Sequence, residues 1–499
     1  MADDDEQRPL LADTARISSA QTGTDYASFT ADDAFTAKDH PSRFIDDDVL
    51  PETSALGRNL SWTSSYMLVV SRVIGSGIFA TPGTILQSVG SPGLSLLLWA
   101  VGAVLAAAGL AIALEYGCML PRSGGQKVYL EFTYRHPRFL ASTLVAINAV
   151  LLGFTASNCV VFSQYILFAT GQDGTDEVLR KTLAAGLLSV ITVVHAVVPK
   201  FGIRLQDSLG WIKIGIVMFM VLCGSYVVVF RPATDSAVDV DVLLSWEKLW
   251  EGSNWNWGIV CTALLKVFYS YAGLDDVSNV LNEVKDPVRT LRSVTLTALF
   301  TSCGLYLLIN VAYFLVVPLD EIKGSGELIA ALFFERVFGA QVGRKVLPLT
   351  VALSAVGNVM VVAFAMARLK QEIARQGFLP FSEVLSSTKP FDSPLGGLLV
   401  NYIPSLLVIV LPPSSEVYSF ILEVEGYTGQ IFGLAVGLGL LWLRHKRPHL
   451  DRPFRAWMSA VVLRLLLGLG LLAAPFFPPA EKYKGGWFYA TYAIVGAST

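Results

Sequence analysis

Two glycine-centred stretches carry the residue types through which a main chain can meet a small molecule. The first is Ile74-Gly75-Ser76-Gly77-Ile78-Phe79-Ala80-Thr81-Pro82-Gly83. Glycine and serine are poor helix formers, and Pro82 lacks the N–H that would bond four residues back. Glycine lets a ligand approach the backbone closely, and N–H groups freed at a half-helix N-terminus favour an anion. The stretch can therefore cradle a carboxylate, or it can pack helices through small residues. The second stretch, Lys266-Val267-Phe268-Tyr269-Ser270-Tyr271-Ala272-Gly273-Leu274-Asp275-Asp276, places Ala-Gly before two acids. No paired histidines, HExxH or GxSxG with triad partners occurs, so binding is expected and enzymatic catalysis is not. Cys118, Cys159, Cys223, Cys261 and Cys303 form no CxxC pair and the five histidines are scattered, so no disulfide framework, metal site or cofactor is expected.

The elements that position these stretches follow from composition. Of 499 residues, 53% are hydrophobic and only 15% charged, against about a quarter charged in a soluble chain. Apolar runs recur from residue 66 onward, so the fold class expected is an all-α polytopic membrane protein. At ~20 residues per span, the runs give 66–89, 94–118, 139–169, 182–199, 206–230, 258–281, 293–317, 346–368, 395–411, 416–443, 458–477 and 486–499, the last of them short. The net charge of −3 conceals a division: residues 1–58 hold thirteen acids and five bases, which leaves the remainder at +5. Residues 1–60 read as a disordered acidic tail, without a removable signal peptide. Lys38, the tail's only lysine, could accept ubiquitin through a ligase adaptor or be an ordinary solvated lysine. With the N-terminus cytoplasmic, eighteen Lys/Arg fall in inside loops and ten outside, which sets that orientation. The inside set includes Lys127, Arg368, Lys370, Arg444 and Arg452.

The two glycine stretches lie five spans apart. Interrupted helices in corresponding halves of a chain are the pointer to a transporter with inverted repeats. Charges inside spans are functional candidates by default. Lys213, flanked by Ile212, Ile214 and Gly215, is the sharpest; it could cycle a proton or stand in a permanent ion pair with Asp207. Arg72 and Lys266 precede the two breaks, and Asp275, Asp276, Glu423 and Glu425 lie after or within later spans. Glu115 and Arg464 are read as near helix ends and able to snorkel. His195 and the glycines 426, 429, 433 and 437 read as helix packing.

At this point the residues resemble a family. Gly75-Ser76-Gly77-Ile78-Phe79 with Pro82-Gly83 resembles the first-helix motif of the amino acid–polyamine–organocation superfamily. Glu115-Tyr116-Gly117 to Pro121-Arg122-Ser123-Gly124-Gly125 agrees, as do Arg204-Leu205-Gln206-Asp207 to Lys213 and Tyr269 to Gly273 with Asn282-Glu283-Val284-Lys285-Asp286-Pro287. Ala367-Arg368 to Gly377-Phe378-Leu379-Pro380 follows in order. The chain is most similar to the L-type amino acid transporter family, in its fungal methionine permease branch, which Pro51 to Leu60 also resembles.

The resemblance implies a LeuT-type fold with 5+5 inverted repeats (66–230 and 258–443), helices 1 and 6 broken, and helices 11 and 12 (458–499) outside the core. It implies that amides around Gly75, Ser76 and Gly77 hold a substrate carboxylate. Carbonyls near Ile74, Tyr269, Ser270 and Ala272 would hold the α-amino group, with Tyr271 beside them and Tyr269 as an aromatic gate. Lys213 matches a fifth-helix lysine that takes the place of sodium, so proton symport without sodium is expected. Ser157, Asn158, Asp275, Ala355 and Asn358 are side-chain pocket candidates. Leu274-Asp275-Asp276 departs from the family pattern and leaves the preferred side chain open, with methionine as the family default. Animal members carry a disulfide-linked glycoprotein subunit; Thr170 to Lys181 has no cysteine, so no such heavy chain is expected. The reading is a plasma-membrane importer of a neutral amino acid, with an exchanger or a nutrient-sensing receptor as alternatives. The partners expected are the bilayer, the amino acid and H+, with no nucleic acid.

Overall fold

Helix boundaries follow local rules. The first predicted span begins at Ser61, whose hydroxyl accepts from the Ser64 N–H at 3.2 Å and so caps one of the free amides of the first turn. The second begins with Ser91 as cap and Pro92 at the first helical position, where a missing N–H costs nothing. The computed structural model describes residues 51–473, apart from 55, 76, 80, 138, 171–175, 231–244, 326–328 and 413–414. The acidic tail with Lys38, Ser76, most of the loop after the third span and the predicted twelfth span lie outside the described residues.

Among the described residues every regular element is helical. The first span is α1 (Trp62–Val73), a 3-10 turn (Gly77–Phe79) and α2 (Thr81–Val89). Then come α3 (Pro92–Met119), α4 (Gln126–Thr133), α5 (Leu140–Leu151), α6 (Ser157–Ala169), α7 (Glu177–Val197) and α8 (Pro199–Phe230). The sixth span is α10 (Trp257–Ser270), preceded by the short α9 (Trp246–Trp250) and followed by a 3-10 helix over Asp276–Glu283. The rest are α11 (Pro287–Val316), α12 (Leu319–Ser325), α13 (Ile329–Phe338), α14 (Ala340–Arg375), α15 (Ser382–Ser386), α16 (Leu395–Val410), α17 (Ser415–Lys446) and α18 (Met458–Ala473). Among the described residues six helices, α3, α7, α8, α11, α14 and α17, contain a stretch long and apolar enough to cross a membrane.

The core is built around α1. Met67, Leu68, Val69 and Val70 are fully buried, as expected of a helix that is apolar all round, and α8, α11 and α14 surround it. α10 packs against α2 and α3. Trp99, Tyr271 and Tyr306 join α3, the sixth-span break and α11 through edge-on or tilted rings 5.1–6.2 Å apart.

The structure corrects several expectations. The third span is not one helix: the chain leaves helical geometry over 152–156, between α5 and α6. Its periodic apolar pattern hides the break because the compensating groups come from elsewhere. Lys370 Nζ donates to Gly153 O at 2.6 Å and to Asn401 Oδ1 at 2.9 Å. Ser405 Oγ accepts from the Thr155 N–H at 2.7 Å. Lys370 is therefore a fully buried bridge, not a loop charge. Arg368 is likewise buried, with Nε 2.6 Å from Glu283 Oε1, and Lys127 is buried on α4.

Glu115 does not snorkel. It is fully buried, accepts from Arg444 and from the Ala456 N–H at 2.8 Å, and forms an ion pair with Arg452 at 3.3 Å. Arg464 does not snorkel either; it points between α3 and α17. The end of the supposed disordered tail is ordered. Leu60 pairs in parallel with Val284, Ser54 N–H donates to Asn282 O, and Leu60 is fully buried. Composition could not reveal this, because the partner strand-like segment follows the sixth span. His195 packs as expected, buried with its ring 5.7 Å from that of Phe364. The glycine stripe is mixed: Gly433 and Gly437 face α18, whereas Gly426 and Gly429 meet nothing within 4 Å.

Removing one partner of a buried ion pair costs about 3–5 kcal/mol. Glu115→Ala should therefore lower the thermal unfolding midpoint of the purified protein by several degrees. An unchanged midpoint in a fluorescence-detected melt would show that the cluster does not hold α3 to α17.

Candidate functional site

The site forms where α1 and α10 stop in mid-protein. A helix end leaves its last four carbonyls without intrahelical donors, and unwound backbone at membrane depth must be satisfied by protein or a cavity. Side chains from three neighbouring helices meet this need at α1. Lys213 Nζ, from α8, donates to Ser71 O at 2.7 Å and Ile74 O at 3.0 Å. Asn358 Nδ2, from α14, donates to Arg72 O at 2.9 Å. Tyr306 OH, from α11, reaches Val73 O at 2.7 Å and Ser270 O, the end of α10, at 3.0 Å. The alternative pairing of Lys213 with Asp207 is not made; Asp207 accepts from the Ser64 hydroxyl at 2.7 Å.

A second layer joins the two breaks. Arg72 Nε lies 3.0 Å from Asp276 Oδ2, and its NH1 donates to Asn358 Oδ1 at 3.2 Å. Asn158 Nδ2, from α6, donates to the same oxygen at 3.1 Å. The Arg72 stem crosses directly over Gly273. Gly273 has φ +98, and a β-carbon there would lie 2.2 Å from Arg72 Cγ. Both the backbone conformation and the close approach require glycine.

The expected site residues separate into three groups. Ile74, Gly75, Ser270, Asn158, Asn358 and Lys213 converge on the break. Ile74 O and Ser270 O are engaged as above, and Gly75 N–H donates to Val73 O at 2.9 Å. Gly77 is exposed beside them, its carbonyl accepting from the Thr81 hydroxyl. Tyr271 is buried in the aromatic cluster, with its OH donating to Trp99 O at 3.3 Å. Ala272 is exposed and its N–H donates to Tyr269 O at 3.0 Å. Ala355 is fully buried on α14, and Ser157 is exposed on α6. Tyr269 and Asp275 line a cavity of about 200 Å³ with Gly273, Gln430, Gly433 and Arg464. Lys266 is exposed.

Sequence reasoning missed Tyr306 and understated Arg72 and Asn358. A tyrosine in an apolar span is a signal, since a buried phenol must find an acceptor. Its acceptor cannot be read from the sequence, because Val73 lies 233 residues away. Among the described residues no His/Cys/Asp/Glu cluster is arranged to hold a metal ion.

A bundle of apolar helices with two adjoining interrupted helices and a polar, non-covalent centre defines an integral membrane carrier. Residues 60–498 match the family model described as amino acid permease, and the chain belongs to that family. It is 33% identical over 492 residues to the low-affinity methionine permease of Saccharomyces cerevisiae, covering 97% of this chain and 86% of that one. It is 34% identical to the high-affinity methionine permease of the same yeast, covering 85% and 74%. A rat protein named large neutral amino acids transporter small subunit 2 is 28% identical, covering 88% and 80%. The chain is thus an all-α amino acid transporter embedded in the membrane, and not an enzyme.

Gly273→Ala should displace Arg72 and uncouple the two breaks. Uptake of amino acid should fall at least about ten-fold while the protein still reaches the membrane, because the strain falls at the site. Uptake equal to wild type would mean that the Arg72–Gly273 approach does not matter to transport.

Proposed function

We propose that this chain imports a neutral L-amino acid, with methionine favoured, by proton-coupled and sodium-independent alternating access at the plasma membrane. The observation that carries the reading is the Lys213 ammonium seated against the last carbonyls of α1. A helix C-terminus attracts a cation, and an ammonium held there leaves no call for a sodium ion. The yeast relatives named methionine permeases support the choice of substrate.

The carboxylate of the substrate would rest on amides around Gly75, Ser76 and Gly77. Its ammonium group would take carbonyl capacity near Ile74, Tyr269, Ser270 and Ala272. Tyr306 contributes to that capacity: one hydroxyl carries one proton, so Val73 O and Ser270 O cannot both be fully satisfied by it. A charged Lys213 ties α8 to α1 through two charge-assisted bonds. Loss of its proton would weaken both and free the end of α1 to tilt, which couples proton release to opening. The repeats would be 66–230 and 258–443, with 458–499 outside them. The N-terminus would be cytoplasmic, and its acidic tail would present Lys38 to a ubiquitin ligase adaptor.

A β-carbon at Gly77 would meet only the Thr81 hydroxyl, at 3.8 Å. Gly77→Val should therefore fold and reach the membrane, yet lose uptake because the valine blocks the carboxylate. Normal uptake would sink the cradle assignment. Lys213→Ala should abolish pH-dependent accumulation. If that variant still concentrates substrate in a protonophore-sensitive way, coupling lies elsewhere. Radiolabelled methionine uptake in permease-deficient cells, competed by twenty amino acids at two pH values, tests the whole reading; efflux that depends on external amino acid would instead indicate an exchanger.

A further inference from the structure

The connection between α17 and α18 folds back on the end of α17 and is held there from within. Arg452 donates to Leu450 O at 2.9 Å and to Arg447 O at 3.0 Å. Arg444 donates to Ala456 O at 2.6 Å, and the Ala456 N–H donates to Glu115 at 2.8 Å. Residues 444–457 hold five Lys/Arg and one acid, Asp451. Two of the five, Arg444 and Arg452, engage Glu115 on α3. Of the other three, Lys446 and Arg455 are exposed and Arg447 is half-buried. Among the described residues the side chains of these three make no hydrogen bond or ion pair, and the exposed Asp451 pairs with none of them.

The cluster extends to the end of α4. The Arg447 guanidinium carbon lies 5.5 Å from the Phe132 ring centroid, and that of Arg135 lies 5.1 Å from the same centroid. One buried ring thus carries two cations. Like charges this close repel, and a polyanion beside them relieves the repulsion.

Both helices that flank the loop present apolar side chains outward up to its edge. On α17 Leu438 and Trp442 are exposed one turn apart, and Lys446 follows at the same interval. On α18 Met458, Val462 and Leu466 are exposed at that interval, with the exposed Trp457 just before them. On membrane helices such stripes face lipid, and tryptophans at their ends stand at headgroup level. The three unpartnered bases therefore sit on an ordered loop beside two lipid-facing stripes. Orienting a chain in the membrane requires only that bases be present in a loop; it does not require the loop to be folded around them.

We propose that the α17–α18 loop, together with Arg135, binds the headgroup of a phosphoinositide, a lipid whose inositol ring carries phosphomonoesters. Basic clusters beside a membrane helix attract anionic lipid of the cytoplasmic leaflet. A guanidinium meets phosphate oxygens in pairs, and several phosphate charges match Lys446, Arg447 and Arg455 better than the single net charge of phosphatidylserine does. The acyl chains would lie along the Leu438–Trp442 and Met458–Leu466 stripes. Because Glu115 ties the loop to α3, a bound headgroup braces the contact of α3 with α17. The choice of leaflet rests on the orientation proposed above, whereas the binding itself does not.

The test uses the purified full-length chain in detergent micelles that contain phosphatidylcholine. Long-chain phosphatidylinositol bisphosphate, phosphatidylserine, additional phosphatidylcholine and free inositol trisphosphate are titrated. Thermal stabilisation and the lipids retained in native mass spectrometry are read. The phosphoinositide should reach half-effect at a concentration about ten-fold or more below phosphatidylserine, and phosphatidylcholine should have no effect. Lys446→Gln/Arg447→Gln/Arg455→Gln should weaken phosphoinositide binding by about ten-fold or more. Lys200→Gln/Lys285→Gln, which removes two exposed bases elsewhere, should leave it unchanged. Equal effects of phosphoinositide and phosphatidylserine on wild type overturn the proposal, and so does an equal response of the two variants. Free inositol trisphosphate acting as strongly as the lipid would overturn the lipid assignment in favour of a soluble polyphosphate. If the triple variant does not reach the membrane, Arg447→Gln alone and the wild-type ranking decide. Labelling of Lys446→Cys by an impermeant maleimide in intact cells would sink the orientation and leave the binding result standing.

Discussion

The constraint on which the rest depends is the set of carbonyls left open when α1 stops inside the protein. Ser71, Arg72, Val73 and Ile74 each present an oxygen that no residue of α1 can satisfy by continuing the helix. Lipid offers no donor, so donors must come from other helices. Lys213, Asn358 and Tyr306 supply them from α8, α14 and α11. These are the same three helices that enclose α1. The break is therefore held by packing and hydrogen bonding together, and any shift of α1 must exchange these bonds for others.

A different use of charge holds the periphery. Glu115 gathers two arginines and an amide, Glu283 pairs with Arg368, and Lys370 closes the gap in the third span. Each is buried with its partners present, which is the condition under which a buried charge is tolerated. Arg72 and Asp276 sit between these extremes, partly exposed and shared with Asn358. Arg464 NH1 and Arg452 Nε are buried nitrogens without a hydrogen-bond acceptor among the described residues. The environments thus range from buried pairs at the edge to the part-exposed Arg72–Asp276 pair at the two breaks.

Much of this was legible in the sequence, and the reason is local. Both helix breaks are written in glycine, serine and proline spacing, and the structure interrupts α1 and α10 at those residues. Span boundaries fell close for the second and ninth runs because charge, proline or glycine bounds them. What failed was non-local. The break at 152–156 follows an apolar run with one glycine, and its satisfaction depends on Lys370 and Ser405, over 200 residues away. Glu115 was misplaced for the same reason, since its partners come from beyond residue 440. Residues 51–60 looked like tail by composition because their hydrogen bonds run to 282–285. For the candidate site, Lys213 and Asn358 were chosen by type, but the hub role of Asn358 and the bridging role of Tyr306 exist only in three dimensions.

The division of the two aspartates shows how one backbone choice organises the centre. Gly273 takes a left-handed conformation that a side chain rarely adopts. That turn ends the helical continuation of α10 and sends the chain into the 3-10 helix at Asp276. Asp276 then meets Arg72 while Asp275 lines the cavity. The Arg72 stem occupies the space that a β-carbon at Gly273 would need, so the same glycine permits both the turn and the bridge between the breaks. The sixth-span break and the adjoining cavity thus share one wall, the Tyr271–Gly273 turn. Because the Arg72 stem rests on Gly273, a displacement of Arg72 would act on this wall directly.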